Sequence, residues 1–84
     1  MIYQVVVTKS AEKEIAELPK IFYLSVKNSI LSLSENPRPA GVKKLKGFEN
    51  TFRIRVGVYR IIYLVEDKIK VVTITRVAHR KDAY

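Results

Sequence analysis

The chain of 84 residues contains no cysteine and no tryptophan, and it has only three glycines, three prolines and one histidine. The absence of cysteine excludes a disulfide framework, a thiolate metal site and a thiol nucleophile, and it fits a reducing cytoplasm. One histidine makes a zinc site improbable, the eight acidic residues lack calcium-loop spacing, and no glycine-rich phosphate loop is present. We therefore expect neither a metal nor a cofactor.

Long apolar runs are also missing. No stretch approaches the roughly 20 apolar residues of a membrane-spanning helix, and the first ten residues, MIYQVVVTKS, do not resemble a signal peptide. A composition with 48% hydrophobic and 29% charged residues is typical of a globular protein. We expect one cytoplasmic domain over residues 1–84, without a membrane partner.

Acidic residues are few: there are 8, against 16 lysines and arginines, which gives a net charge of +8. Residues 1–40 carry five basic and four acidic side chains, whereas residues 41–84 carry eleven basic and four acidic ones. The positive field therefore belongs to the second half of the chain. Such a field attracts nucleic acid, an acidic protein or an anionic surface.

The first half is predicted to form a strand and two helices. Residues 2–7, IYQVVV, are typical of a short buried strand, and Thr8 or Ser10 can cap the helix that follows and ends at Pro19. A second helix is predicted over residues 20–35 with an apolar stripe of Phe22, Val26, Ile30 and Leu33. The prolines of residues 36–39, NPRP, end it.

The second half is predicted to form a loop and three strands. Residues 40–50, AGVKKLKGFEN, indicate a loop with Leu45 and Phe48 turned inward, and residues 69–78 a strand rich in β-branched side chains. The complete order is β-α-α-β-β-β, an α+β fold in which a helical hairpin packs on one face of an antiparallel sheet.

The stretch FRIRVGVYRIIY, residues 52–63, alternates apolar and cationic side chains around a glycine. It predicts a hairpin with Gly57 and Val58 as a type II′ turn, in which Arg55 faces Arg60. Arg53, Arg55 and Arg60 then share the face opposite the apolar side chains. Like charges that face each other cost about 0.2–1 kcal/mol per pair, so we interpret the trio as an anion site rather than a solvated face.

The C-terminal stretch RVAHRKDAY offers a second group of candidates. His79, Arg80 and Tyr84 can supply a titrating imidazole, a phosphate clamp and an aromatic plate for stacking a base. The alternative is a frayed basic terminus with a chance histidine. Four lysines near these arginines are further candidates for RNA contacts or for a solvated surface: Lys43, Lys44, Lys46 and Lys81.

The order of the LKG turn, the R-I-R-x-G-x-Y-R-I-I-Y hairpin and the final V-x-H-R-x-x-x-Y over residues 44–84 closely resembles the RelE/ParE superfamily of small toxins. The resemblance implies a toxin that is neutralised by an acidic, partly disordered antitoxin in an oligomeric complex. In the RelE branch it further implies entry into the ribosomal A site and cleavage of mRNA there. The 2′-hydroxyl of the RNA attacks the adjacent phosphate and leaves a 2′,3′-cyclic phosphate.

The resemblance carries the catalytic positions of the RelE branch onto five residues of this chain: Arg53, Arg55, Arg60, Arg80 and Tyr84. Well-known ribosome-dependent members have lysine at the first two of these positions. Arginine is a far poorer proton acceptor, so His79 is the candidate acid or base. Two alternatives stay open, a ParE-like toxin that inhibits DNA gyrase without cutting RNA and a member of the fold that has lost its activity.

Overall fold

The structure, a computed structural model, describes residues 2–81 and contains two helices and five strands in the order β-α-α-β-β-β-β. The elements are β1 (Gln4–Val7), α1 (Lys9–Ala16), α2 (Lys20–Ser32), β2 (Lys43–Lys44), β3 (Thr51–Val56), β4 (Tyr59–Glu66) and β5 (Val71–His79). The strands form one sheet in the spatial order β1-β5-β4-β3-β2. The predicted α+β fold is confirmed.

Two features of the sheet differ from the prediction. Lys43 and Lys44, expected in a loop, pair with the edge of β3 as a two-residue strand. The pairing of β1 with β5 is parallel, whereas every other pair of neighbouring strands is antiparallel. The two helices follow β1 directly in the chain, and the last strand, β5, lies beside β1 and runs in the same direction.

The helices begin and end where the local sequence favours it. The Thr8 side chain caps α1 by accepting a hydrogen bond from the backbone N–H of Ala11 at 3.2 Å. Pro19 separates the helices and stands at the N-cap of α2. The second helix ends at Ser32, three residues earlier than predicted, and a turn leads into the proline-containing segment.

The hydrophobic core lies between the helices and one face of the sheet. Three members of the predicted α2 stripe, Val26, Ile30 and Leu33, are buried, and the ring of Phe22 lies edge-on to Tyr59 at 5.1 Å between centroids. The strands contribute alternate residues to the same layer: Phe52, Ile54, Ile61, Tyr63, Val65, Val72, Ile74 and Val77. The opposite face of the sheet carries no helix among residues 2–81.

A polar clamp closes the end of the sheet remote from the Gly57 turn. Asp67 accepts hydrogen bonds from Tyr3 at 2.6 Å and from both terminal nitrogens of Arg38 at 3.2 and 2.7 Å. The hydrogen bonds from the Arg38 guanidinium, followed by that from Tyr3, lower the pKa of the Asp67 carboxyl. The clamp fixes the segment after α2 against the turn between β4 and β5.

Buried Tyr63 ties the same segment to the core. Its hydroxyl donates a hydrogen bond of 2.7 Å to the carbonyl of Pro37. Because burial disfavours the phenolate, the pKa of Tyr63 is raised to about 12. Across residues 2–81, neither helix has the length and apolar character needed to cross a membrane.

Candidate functional site

The hairpin of β3 and β4 presents the predicted arginines on the face away from the helices. Arg55 faces Arg60 and Val56 faces Tyr59, as predicted for a two-residue loop. Gly57 has a φ of 62° and Val58 has a negative φ, which fits a type II′ turn and not a type I′ turn. Since facing residues share a side of the sheet, burial of the apolar alternate residues fixes the arginines on the opposite face.

Three of the predicted arginines meet at one small cavity beside this turn. The cavity holds about 120 Å³ and is lined by Arg55, Gly57, Tyr59, Arg60 and Arg80. We call it the arginine cavity. It is large enough to admit several water molecules, or one small anion such as a phosphate group.

Arg80 reaches the arginine cavity because its backbone is anchored to the hairpin. Its N–H donates a hydrogen bond of 2.8 Å to the carbonyl of Val58, one residue beyond the end of the pairing between Tyr59 and His79. Arg80 therefore lies against the turn, and a residue 20 positions away from Arg60 lines the same space.

The arginine cavity is strongly cationic. Neither Arg55 nor Arg80 forms an ion pair with an acidic side chain of residues 2–81. The two ion pairs of this part of the chain lie elsewhere, between Arg38 and Asp67 and between Arg76 and Glu14. Guanidinium groups keep their charge at any physiological pH and bind phosphate oxygens in pairs, so the cavity suits a phosphate.

Arg53 lies in a neighbouring, larger groove. This groove holds about 540 Å³ and runs along the edge of β3 between α2 and the segment before β2. Arg55 lines both spaces, and Lys43 stands opposite Arg53 in the pairing of β2 with β3. The remaining lining residues are Ser29, Ser32, Pro39, Ala40, Gly41 and Ile54. We call it the edge groove.

His79 does not join the arginines. It faces Tyr59 across the sheet, with 5.6 Å between ring centroids, and so it shares the side that carries the helices. Its Nδ1 accepts a hydrogen bond of 3.2 Å from the backbone N–H of Lys81. Its predicted role as acid or base has no support from this placement.

The remaining predicted residues are dispersed. Lys44, on β2, faces Phe52 of β3. Together with Lys46 it lines an open cavity in the loop between β2 and β3. Lys81 is exposed next to Arg80. The predicted stacking residue Tyr84 lies outside the described residues.

One expectation about the loop is wrong in part. Leu45 is half-buried, but Phe48, also expected to turn inward, is 63% exposed. The ends of the loop, Leu45 and Asn50, are hydrogen-bonded to the sheet, and no helix or strand of residues 2–81 covers the ring of Phe48.

Residues missed by sequence reasoning include Tyr59 in the arginine cavity and Ser29 and Ser32 in the edge groove. The alternation placed Tyr59 on the apolar face, and its position next to the turn was the available signal that it also borders the cavity. The two serines stand one turn of α2 apart and lie on the side of that helix facing the edge of β3. Only the packing of α2 against the sheet reveals this.

Comparisons with known proteins agree with this geometry. The family model described as the ParE toxin of the type II toxin–antitoxin system parDE matches residues 5–84. Toxin RelG of Mycobacterium tuberculosis is 34% identical over 85 residues, which span 100% of this chain and 98% of RelG. The archaeal RelE–RelB complex from Pyrococcus horikoshii OT3 superposes with a TM-score of 0.85 at 34% identity, covering 99% of this chain and 100% of the matched chain.

The intact RelBE toxin–antitoxin complex of Escherichia coli gives a TM-score of 0.79 at 28% identity, covering 92% of this chain and 95% of the matched chain. These similarities extend over nearly the whole length of both compared chains, and the residues matched by the family model include the hairpin and β5 that build the arginine cavity. The chain belongs to the ParE toxin family of type II toxin–antitoxin systems, within the RelE/ParE superfamily.

Proposed function

We propose that this toxin is a ribosome-dependent mRNA endonuclease that cuts the message in the A site. The observation that carries the proposal is the meeting of Arg55, Arg60 and Arg80 around one phosphate-sized cavity. Binding to a protein surface does not call for three guanidinium groups directed at one small space. Stabilisation of a phosphate that gains charge during a reaction does.

The proposed reaction uses the nucleophile of the RNA itself. The 2′-oxygen attacks the adjacent phosphorus and gives its proton to the solvent, the bond from phosphorus to the 5′-oxygen breaks, and that oxygen takes up a proton from the solvent. The products are a 2′,3′-cyclic phosphate and a free 5′-hydroxyl. Because RNA brings its own nucleophile, the absence of a cysteine from the chain is no obstacle.

The arginines act on the charge of the transition state. As the 2′-oxygen bonds to phosphorus, negative charge grows on the non-bridging oxygens, and a preorganised guanidinium group binds this state more strongly than the ground state. We assign this stabilisation to Arg55, Arg60 and Arg80. Arg53 and Lys43, in the edge groove, each hold a neighbouring phosphate and keep the message in register.

Proton transfer is assigned to none of the described side chains. His79 lies on the helix side of the sheet, and arginine is a poor proton acceptor. We therefore expect His79→Gln to retain cleavage. The sequence-based role of Tyr84 as a stacking plate for a codon base stays a prediction.

The proposed partner is an acidic antitoxin encoded for this toxin, acting in the cytoplasm. The similar solved structures include complexes of RelE with RelB. The positive field of residues 41–84 complements an acidic chain, and a partly disordered antitoxin can wrap the toxin and become ordered on binding. We propose that the complex is oligomeric.

A second function is favoured by the family model, which is named for the ParE toxin. In that case the protein binds and inhibits DNA gyrase and cuts no RNA. A toxin fold without activity is the third outcome, and the same experiment distinguishes all three.

In the experiment, purified toxin is added to ribosomes programmed with a defined message, and the ends of the RNA are mapped. The proposal predicts cleavage within the A-site codon, with a slower rate by about 10²–10³-fold in Arg60→Ala and in the exposed variant Arg80→Ala. Lys68→Ala, which removes an exposed cation in the turn between β4 and β5, is the control and should cleave normally. Intact RNA with inhibited supercoiling by gyrase would support the ParE-like function, and inactivity in both assays the third.

A further inference from the structure

The loop between β2 and β3, residues 45–50, is hydrogen-bonded to the sheet at both ends. At its neck the N–H of Leu45 donates to the carbonyl of Thr51 at 2.9 Å, and the N–H of Val65 donates to the carbonyl of Asn50 at 2.9 Å. Gly47 and Asn50 adopt positive φ values of 84° and 53°, which complete the reversal. These hydrogen bonds fix both ends of the loop relative to the sheet.

Phe48 projects from this loop with 63% of its surface exposed. A phenylalanine at that exposure gains little from burial, and a single exposed apolar side chain is ordinary on a protein surface. Its surroundings point to a ligand with charge. Phe48 lines an open cavity of about 550 Å³ together with Lys44, Leu45, Lys46, Gly47 and Glu49.

We propose that Phe48 is a stacking platform for an unpaired RNA base, with Lys44 and Lys46 binding the phosphates beside that base. The inference rests on the proposed RNA target of this toxin. An aromatic ring between cations is the arrangement that binds single-stranded nucleic acid, because every base has a face that can stack and every linkage a negative charge. The cavity carries two lysines against the single acid Glu49.

The Phe48 platform and the arginine cavity engage different nucleotides. None of the residues that line one lines the other. They lie beyond opposite ends of β3, whose terminal residues Thr51 and Val56 are about 17 Å apart at roughly 3.4 Å per residue. Phe48 therefore contributes to RNA affinity and not to the chemical step, so its loss raises KM and leaves kcat unchanged.

The test measures binding of a short single-stranded 2′-O-methyl oligoribonucleotide, which cannot be cut by 2′-hydroxyl attack, to the full chain by fluorescence anisotropy. Phe48→Ala should weaken binding by about 5- to 150-fold, the equivalent of roughly 1–3 kcal/mol for one stacked base. Phe48→Tyr keeps the ring and should bind like the parent, whereas Phe48→Leu keeps only the apolar character and should behave like Phe48→Ala. Ile69→Ala is the matched control, since Ile69 is also 63% exposed.

A second readout locates the base. Photocross-linking of the same oligonucleotide carrying 4-thiouridine should give an adduct on the peptide that contains Phe48. Unchanged affinity in both Phe48→Ala and Phe48→Leu, or adducts confined to the arginine cavity, would overturn the inference. So would a loss of antitoxin binding in Phe48→Ala at full RNA affinity, because the ring would then serve a protein partner.

The test of Phe48 distinguishes a failure of the RNA-binding platform from a failure of the proposed nuclease activity. If ribosomes and message stay intact but RNA binding depends on the ring of Phe48, the platform stands and the cleavage proposal falls. If the message is cut normally and all Phe48 variants bind RNA alike, the reverse holds.

Discussion

Arg55 connects the arginine cavity with the edge groove, because its side chain borders both. It stands opposite Arg60 in the hairpin and lines both the arginine cavity and the edge groove. A facing pair of arginines opposes folding by about 0.2–1 kcal/mol, and a bound phosphate offsets that cost. We infer that Arg55 and Arg60 destabilise the free protein and bind phosphate.

Arg55 and Arg53 should therefore differ in kinetic effect. Arg55→Ala removes a guanidinium group from the cavity in which charge develops, and it should lower kcat for A-site cleavage by about 10²–10³-fold. Arg53→Ala removes a contact from the edge groove only, and it should mainly raise KM. Cleavage measured over a range of programmed-ribosome concentrations separates the two effects, and equal losses of kcat in both variants would contradict the division of roles.

Tyr63 makes stability sensitive to alkaline pH. Its ordinary pKa of 10.0 is raised to about 12 in the folded protein, so the folded state holds the proton more tightly than the unfolded chain. The stabilisation is complete below pH 10 and is lost as the pH rises toward 12, by at most about 2.7 kcal/mol for two pKa units. Urea unfolding at several pH values, followed by circular dichroism, measures this loss.

Tyr63→Phe is the matched variant for that measurement. It cannot ionise, so its stability should fall less between pH 10 and 12 than that of the parent. At neutral pH it should be less stable by about 1–3 kcal/mol, because the buried carbonyl of Pro37 loses its hydrogen-bond donor. Parallel pH profiles for the two proteins would show that another group causes the alkaline loss.

The register of β5 determines which side chains of the C-terminal stretch lie on the same face of the sheet as the arginines. The pairing of β4 with β5 has a bulge, where Ile62 faces Arg76 and Tyr63 faces Ile74, so that Thr75 is the extra residue. A shift of one residue turns every later side chain to the other face. The bulge therefore directs Arg80 toward the arginine face and His79 toward the helices.

This bulge also explains the limits of prediction from sequence. The hairpin register was predictable because strict alternation and a two-residue turn determine it locally. The bulge, the parallel pairing of β1 with β5 and the two-residue strand β2 depend on contacts between distant segments, and no local periodicity encodes them. Arg55 and Arg60 were thus placed correctly from sequence, whereas Phe48 was wrongly expected to turn inward and no face of the sheet could be assigned to His79.

Glu14 on α1 protects the edge of β5 beyond the end of β1. Its Oε1 accepts a hydrogen bond of 2.7 Å from the backbone N–H of Val77, and its Oε2 lies 3.5 Å from Nε of Arg76. Glu14→Ala should lower the free energy of unfolding by about 1–3 kcal/mol, because a largely buried N–H loses its acceptor. Glu14→Gln keeps an acceptor and should cost less. Chemical unfolding of both variants tests this, and equal losses would mean that the charge and not the acceptor matters.

For the molecule as a whole, the question is whether its net charge of +8 or the placement of that charge governs RNA binding. Each phosphate contact to a single strand adds about 0.7 to the slope of log affinity against log salt. Lys43 and Arg53 line the edge groove, so the double variant Lys43→Gln with Arg53→Gln should reduce the slope by about 1.4.

The matched control removes two charges from the helical side. Lys13 and Lys20 are exposed residues of α1 and α2, and neither lines the edge groove or the arginine cavity. Lys13→Gln with Lys20→Gln therefore produces the same net charge but should leave the salt slope for a single-stranded 2′-O-methyl oligoribonucleotide unchanged. An equal reduction in both double variants would mean that the overall field binds RNA. A reduction confined to Lys43 and Arg53 means that the path of the RNA follows the edge of β3 toward the arginine cavity.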